Sequence, residues 1–202
     1  ITQSGGEFTL AWRTRTQQPA SPVPAAFDAV ANTIVTWDSQ SRIVWESSIN
    51  VQVLRGTVQR LKVTLPPATT ILALDVPGQR VLASEPGGDE GGPAAGDRPR
   101  ATVEFDQPLA EGAHEVKLAY QRVVDPRKAK PSPLEIGGLE VEGAVRQSGF
   151  IGVIPSRSWR ASIVTGEHVY RQYEMPPGFR EAGVKGTNTF EFFSQPHSLK
   201  MS

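Results

Sequence analysis

Cysteine is absent from this 202-residue chain, which removes thiolate nucleophiles, thiolate zinc sites and disulfides at once. Histidine is scarce. His114, His168 and His197 are isolated from one another, with no His-x-His or His-Glu-x-x-His spacing, so a metal ion would need ligands that only the fold brings together. Net charge is missing as well, with 21 basic against 21 acidic residues, and a balanced chain has no long-range field to draw it onto nucleic acid or an anionic membrane. No apolar run approaches the roughly 18 residues that cross a bilayer as a helix, so no membrane insertion is expected. Nor does any ten-residue window carry apolar residues at i, i+3, i+4 and i+7. The best helical candidate is the short run Pro24 to Ala31, with proline in its first turn and room for about two turns.

What the chain has instead is glycine and proline, 19 and 17 residues, punctuating short stretches that alternate between apolar and polar. The clearest is Ile43 to Val76. Ile43, Trp45, Ile49, Val51 and Val53 share one face and Glu46, Ser48, Asn50 and Gln52 the other, a period of two that marks a strand with a dry and a wet side. A break at Arg55-Gly56, a run with Leu61, Val63 and Leu65 inward, and a third run from Ile71 to Val76 together read as a β-meander. Pro66-Pro67 ends the second run, because two residues without N–H donors cannot sit in a ladder. Upstream, Thr33 to Trp37 and the strand from Arg42 read as a hairpin with a loop at Asp38 to Ser41, closed by Trp37 and Arg42, with Trp45 facing Ile34.

Residues 7–15 alternate as a first strand, and Pro77-Gly78 is a turn. The segment 85–100 is rich in glycine and proline and holds no large apolar side chain, so it is expected to be a mobile loop. Alternation resumes at Ala101 to Phe105 and His114 to Val123, then at Leu134 to Ile136, Leu139 to Val145, Phe150 to Ile154, Trp159 to Val164, His168 to Tyr173 and Thr189 to Phe193. Between these groups, Asp125 to Pro133 combines prolines with Arg127, Lys128 and Lys130 and reads as a solvated boundary. The expectation is an all-β fold of antiparallel β-sandwich modules. Residues 1–124 form the first, residues 134–202 a second, shorter one that continues into a longer protein, and the two pack as a supersandwich. A chain of this length buries roughly 70% of its unfolded surface and needs no disulfide or metal to hold a core.

Candidate chemistry is thin. Asp38, Glu46, Glu140, Glu142, Glu167 and Glu191 lie in or beside expected strands, but glycoside hydrolysis requires two carboxylates facing each other at roughly 5 to 10 Å. Glu140 and Glu142 alternate with Leu139 and Val141 as wet-face residues do. Ser148-Gly149 lacks the first glycine of Gly-x-Ser-x-Gly, and the glycines of 87–96 precede no Lys-Ser or Lys-Thr, as a phosphate loop would require. No catalytic residue, metal site or cofactor is assigned. Each histidine reads as a surface or strand-end residue. Of the tryptophans, Trp45 belongs to a dry face, whereas Trp37 and Trp159 lie beside turns and polar neighbours and are the candidates for ligand binding, by stacking on a sugar ring.

Gly143 to Ile151 (GAVRQSGFI) and Phe190 to Leu199 (FEFFSQPHSL) resemble stretches of large uncharacterised exported proteins of planctomycete-type bacteria, in which β-rich modules continue past a Gln-Pro-x-Ser-Leu run into another domain. The resemblance covers about a tenth of the chain and carries no catalytic residue across. It implies a part of a long secreted or cell-envelope protein. The lack of cysteine, and a chain that starts at Ile1 rather than methionine, agree with that expectation. The function expected is a non-catalytic structural or adhesive module, secreted, periplasmic or on the cell surface, whose partners are other domains of the same chain or a homo-oligomeric neighbour. Two alternatives stand beside it: a carbohydrate-binding module that takes glycan, or the β-supersandwich part of a carbohydrate-active enzyme, and a subunit that self-assembles through strand edges.

Overall fold

The computed structural model describes residues 24–38, 42–84, 98–124, 134–155, 163–185 and 188–201. Among them are fourteen strands and no α-helix: β1 (Ala26–Asp38), β2 (Arg42–Arg55), β3 (Val58–Thr64), β4 (Thr70–Asp75), β5 (Val81–Ser84), β6 (Arg100–Leu109), β7 (Gly112–Val123), β8 (Leu134–Glu135), β9 (Glu140–Glu142), β10 (Arg146–Ile154), β11 (Ile163–Glu167), β12 (Val169–Gln172), β13 (Thr189–Phe192) and β14 (Ser198–Met201). The protein is all-β and sandwich-like. The expected strand at 7–15, most of the expected loop at 85–100, the segment 125–133 and Trp159 lie outside the described residues.

A seven-stranded sheet runs β12-β13-β10-β1-β2-β7-β4. A four-stranded sheet, β5-β6-β3-β9, and a three-stranded one, β11-β14-β8, complete the fold. Burial follows the alternation: Ile43, Trp45, Ile49 and Val51 of β2 are at 0% exposure while Glu46, Asn50 and Gln52 are exposed. Those inward residues join Leu61 and Val63 of β3, Val103 of β6, Ile151 of β10 and Leu199 of β14 in one contiguous core, where each buried aliphatic side chain contributes about 1.5–3 kcal/mol.

Four sequence expectations are corrected. The helical candidate at Pro24 to Ala31 is instead the start of β1. Phe27, Ala29 and Ala31 point inward in alternation, and hydrogen bonding to β2 on one side and β10 on the other outweighs alanine's helical preference. The β-meander does not form. Both edges of β2 are taken, by β1 and β7, so after the turn at Gly56 (φ 75°) the chain crosses to the four-stranded sheet as β3 and returns as β4 to pair with β7.

The hairpin closes at Asp38 and Arg42, with Trp37 opposite Ile43 and Trp45 opposite Val35. That register places inward residues opposite inward residues, as the alternation of two dry faces demands, whereas the expected register mixed the faces. Finally, strands on either side of 125–133 share sheets: β10 lies against β1, and β9 against β3. The 1–124 and 134–202 segments therefore contribute to one core rather than to separately closed sandwiches. The β1–β10 pair is parallel in an otherwise antiparallel set, as two strands joined by a long crossover can be.

Candidate functional site

The face of the seven-stranded sheet turned away from the core carries the site. Strand register lines up two rows across it. One runs Tyr170, Glu191, Phe150, Asn32, Ser48, Lys117, Asp75, and the next runs Gln172, Thr189, Gly152, Ile34, Glu46, Ala119, Ala73. Over the β10 end of the second row sits a compact turn, closed by backbone bonds from Ala182 to Gly178, from Gly183 to Arg180 and from Val184 to Phe179. Phe179 and Val184 are buried because Gly152 leaves room beneath them. A Cβ there would lie 2.8 Å from Phe179 ring carbons and 2.9 Å from Val184 Cγ1.

Between this turn and β4 lies a groove of about 480 Å³. Ile34, Ala73 and Ala119 give it an apolar floor, and Phe179 stands in its wall. Glu46, Asp75 and Glu115 face a single cation, Lys117, along its length. Lys117 Nζ is 3.5 Å from Glu115 Oε2, and Ser48 Oγ donates to Glu115 Oε1 at 2.9 Å. Among the described residues, Glu46 and Asp75 have no ion-pair partner. Asn32 also lines the groove, with its Oδ1 buried and without a hydrogen-bond partner among the described residues. The exposed Glu46 and Asp75 carboxylates are the acceptors the groove offers to a ligand rich in donors. No group of three or more His, Asp or Glu side chains among the described residues could hold a metal ion.

Beside the groove, at the β12 edge, is an aromatic patch. The Tyr170 and Phe193 rings lie 6.2 Å apart at 44° and are 57% and 56% exposed. Next to them Gln172 Nε2 donates to Glu191 Oε2 at 2.7 Å.

The sequence candidates fare differently. Trp37 is in the core at 8% exposure and presents no open face for a sugar, which corrects the expectation drawn from its neighbouring turn; inward register with Ile43 is the reason. Trp159 lies outside the described residues. Trp45 is core, as its pattern implied. Glu140 and Glu142 are held by Arg98 and Arg100 respectively, and Thr64 Oγ1 donates to Glu142 at 3.0 Å, so both knit β9 to its surroundings. Ser148 is mid-strand in β10. His114 pairs with the Ala110 carbonyl at 2.7 Å and His168 with the Pro196 carbonyl at 2.8 Å, both at strand starts.

His197 is the exception. It is buried at 3% exposure, stacked on Phe192 with centroids 4.0 Å apart, and neither ring nitrogen has a hydrogen-bond partner among the described residues. Burial, opposed in part by the Glu140 carboxylate and aided by Arg98, pushes its pKa down to about 4 from 6.5. The unfolded chain therefore binds a proton between those values that the folded chain refuses, so stability is level above pH 6.5 and falls by about 3 kcal/mol as pH drops to 4. Urea unfolding at pH 7, 5.5 and 4 should show that fall for the wild type and a shallower one for His197→Leu. Equal slopes for the two proteins would remove His197 as the cause.

Sequence reading passed over Asp75, Glu115, Lys117 and the Gly152 seat. Their signals were small: alanines on wet faces at 73 and 119, and a glycine inside a strand, which marks a close approach.

No helix among the described residues is long and apolar enough to cross a membrane. No protein-family model matches the chain, and no curated protein does. Among solved structures it is similar to a two-domain M1 zinc metallopeptidase bound to L-tryptophan, with TM-score 0.49 and 15% identity over 88% of this chain and 43% of that one. It is also similar to an M1 zinc metallopeptidase from Deinococcus radiodurans bound to a Tyr-Ser-Ala substrate, with TM-score 0.46 and 15% identity over 88% and 42%. A third is native leukotriene A4 hydrolase from Saccharomyces cerevisiae, with TM-score 0.47 and 8% identity over 95% and 32%. The chain spans less than half the length of each of these structures.

Proposed function

We propose that the chain is a non-catalytic structural or adhesive module of a larger exported or cell-envelope protein, and that it engages its partners through the outer face of its seven-stranded sheet. The observation that supports this reading most is the aromatic patch. Tyr170 and Phe193 stay in water at more than half exposure with their rings together, although the core is complete without them, and clustered exposed apolar side chains mark contact surfaces. Aromatic side chains supply much contact area at little entropic cost, which is why they anchor interfaces.

The test is retention of the protein on a purified cell-envelope fraction from the source organism. Wild type is expected to be retained, and Tyr170→Ser with Phe193→Ser to be retained about thirtyfold less, since each lost anchor is worth roughly 1 kcal/mol, with an unchanged melting temperature. Failure of the wild type to bind would overturn the reading.

The same patch favours a second reading, glycan binding. Two tilted rings beside a hydrogen-bonded amide and carboxylate suit a pyranose, which stacks its apolar face and bonds its hydroxyls to planar polar groups. On a glycan array, signal lost in the same double variant supports it, and a blank array counts against it.

A further inference from the structure

We infer that the groove between the Pro177 to Phe179 turn and β4 is a docking site for an extended, basic segment of a partner protein. The inference rests on the interaction-module reading and gives it a second contact surface with defined partner chemistry. The groove's volume of about 480 Å³ falls within the range of specific ligand sites. Most of its floor is built by β1, β2 and β7, each hydrogen-bonded to strands on both sides, and only Ala73 comes from the edge strand β4, so over the floor a ligand is recognised through side chains.

Charge selects the occupant. Lys117 is already engaged by Glu115, which leaves Glu46 and Asp75 as carboxylates with no cation of their own among the described residues. Glu46 is on β2 and Asp75 on β4, two strands away across β7, a separation on the order of 10 Å from strand spacing alone. One compact cation cannot satisfy both. Two basic side chains four residues apart on one extended backbone can, because residues i, i+2 and i+4 share a face, and an apolar residue at i+2 then covers Ile34, Ala73 and Ala119. Long basic side chains suit such a surface because their methylene stems pack on apolar area while the charged head reaches the rim.

The experiment is fluorescence anisotropy with the whole chain and a labelled heptapeptide, Ser-Lys-Ser-Val-Ser-Lys-Ser, whose lysines and valine share one face when extended, with glutamate in place of both lysines as control. The lysine peptide is expected to bind in a salt-sensitive manner, and the glutamate peptide not to bind. Glu46→Gln combined with Asp75→Asn should weaken binding about tenfold, the combined worth of two half-exposed ion pairs. Gly152→Val, which pushes Phe179 off its seat, should weaken it similarly with every carboxylate in place. Three results would overturn the inference: no binding of the lysine peptide, full binding by the double variant, or displacement of the peptide by spermidine at equal charge concentration, which would make the occupant a free polycation. Tyr170→Ser with Phe193→Ser should leave peptide binding intact, so loss of envelope retention and loss of peptide binding report separately on the module and on the groove.

Discussion

Gly149→Ala is expected to leave the protein unfolded. Gly149 sits in the middle of β10 with φ at +152°, a conformation that residues with a Cβ rarely adopt. A Cβ there would lie 1.9 Å from the Ala31 carbonyl oxygen and 2.7 Å from its carbon. Those are backbone atoms of the neighbouring strand, so no change of rotamer relieves the overlap; β10 would have to part from β1. The parallel β1–β10 ladder spans Asp28 to Thr36, and only through β10 do β13 and β12 reach the rest of the sheet. Parting the pair would release Phe190 and Phe192 from the core as well. A loss on the order of 4 kcal/mol or more follows, comparable with the whole stability of many domains. Circular dichroism and the fraction of soluble protein measure the outcome. A variant that melts within a few degrees of wild type would show that the strands can separate locally at little cost.

Trp45→Ala should lower stability by about 3–5 kcal/mol, the usual range for deleting a buried tryptophan. Trp45 is at 0% exposure, stacks on Tyr120 with centroids 5.5 Å apart, and donates from Nε1 to the Ile136 carbonyl at 3.3 Å. Arg122 lies over the same ring at 5.6 Å and donates to the carbonyls of Pro67 and Glu135. Removing the indole would open a cavity beside a buried guanidinium whose Nε already lacks a partner among the described residues, so a charge would lose its cover together with the lost packing. Trp45→Phe keeps a ring for the stack and forfeits the hydrogen bond, and should cost markedly less. Urea midpoints at constant slope separate the two variants. If alanine and phenylalanine destabilised equally, the indole hydrogen bond would outweigh the packing.

Much of the fold was legible from local pattern. Ile43, Trp45, Ile49, Val51 and Val53 are inward as their alternation implied, the Pro77-Gly78 turn forms with Gly78 at φ 81°, and Leu61, Val63 and Leu65 are buried before the Pro66-Pro67 stop. Misreadings arose where a neighbour distant in sequence decided the outcome. Alanine-rich β1 was drawn into a strand by β2 and β10, and His197 was carried under Phe192 although its sequence surroundings are polar. Trp37 shares the polar turn of an exposed residue but the strand parity of a buried one, and parity prevailed.

The sequence by itself determined the strands and their dry faces, because the partition of side chains between core and water depends on a two-residue period written locally in the chain. Only the tertiary structure decided which sheet each strand joined, and with it the groove. Glu46, Asp75, Lys117 and Phe179 come from β2, β4, β7 and a turn just before β13. They meet because hydrogen-bond pairing sets β2, β7 and β4 side by side and because a glycine at 152 leaves a seat for a phenylalanine 27 positions further along the chain. Pairing between distant strands leaves no mark in the spacing of either partner, so the site could be seen only once the sheet had been assembled.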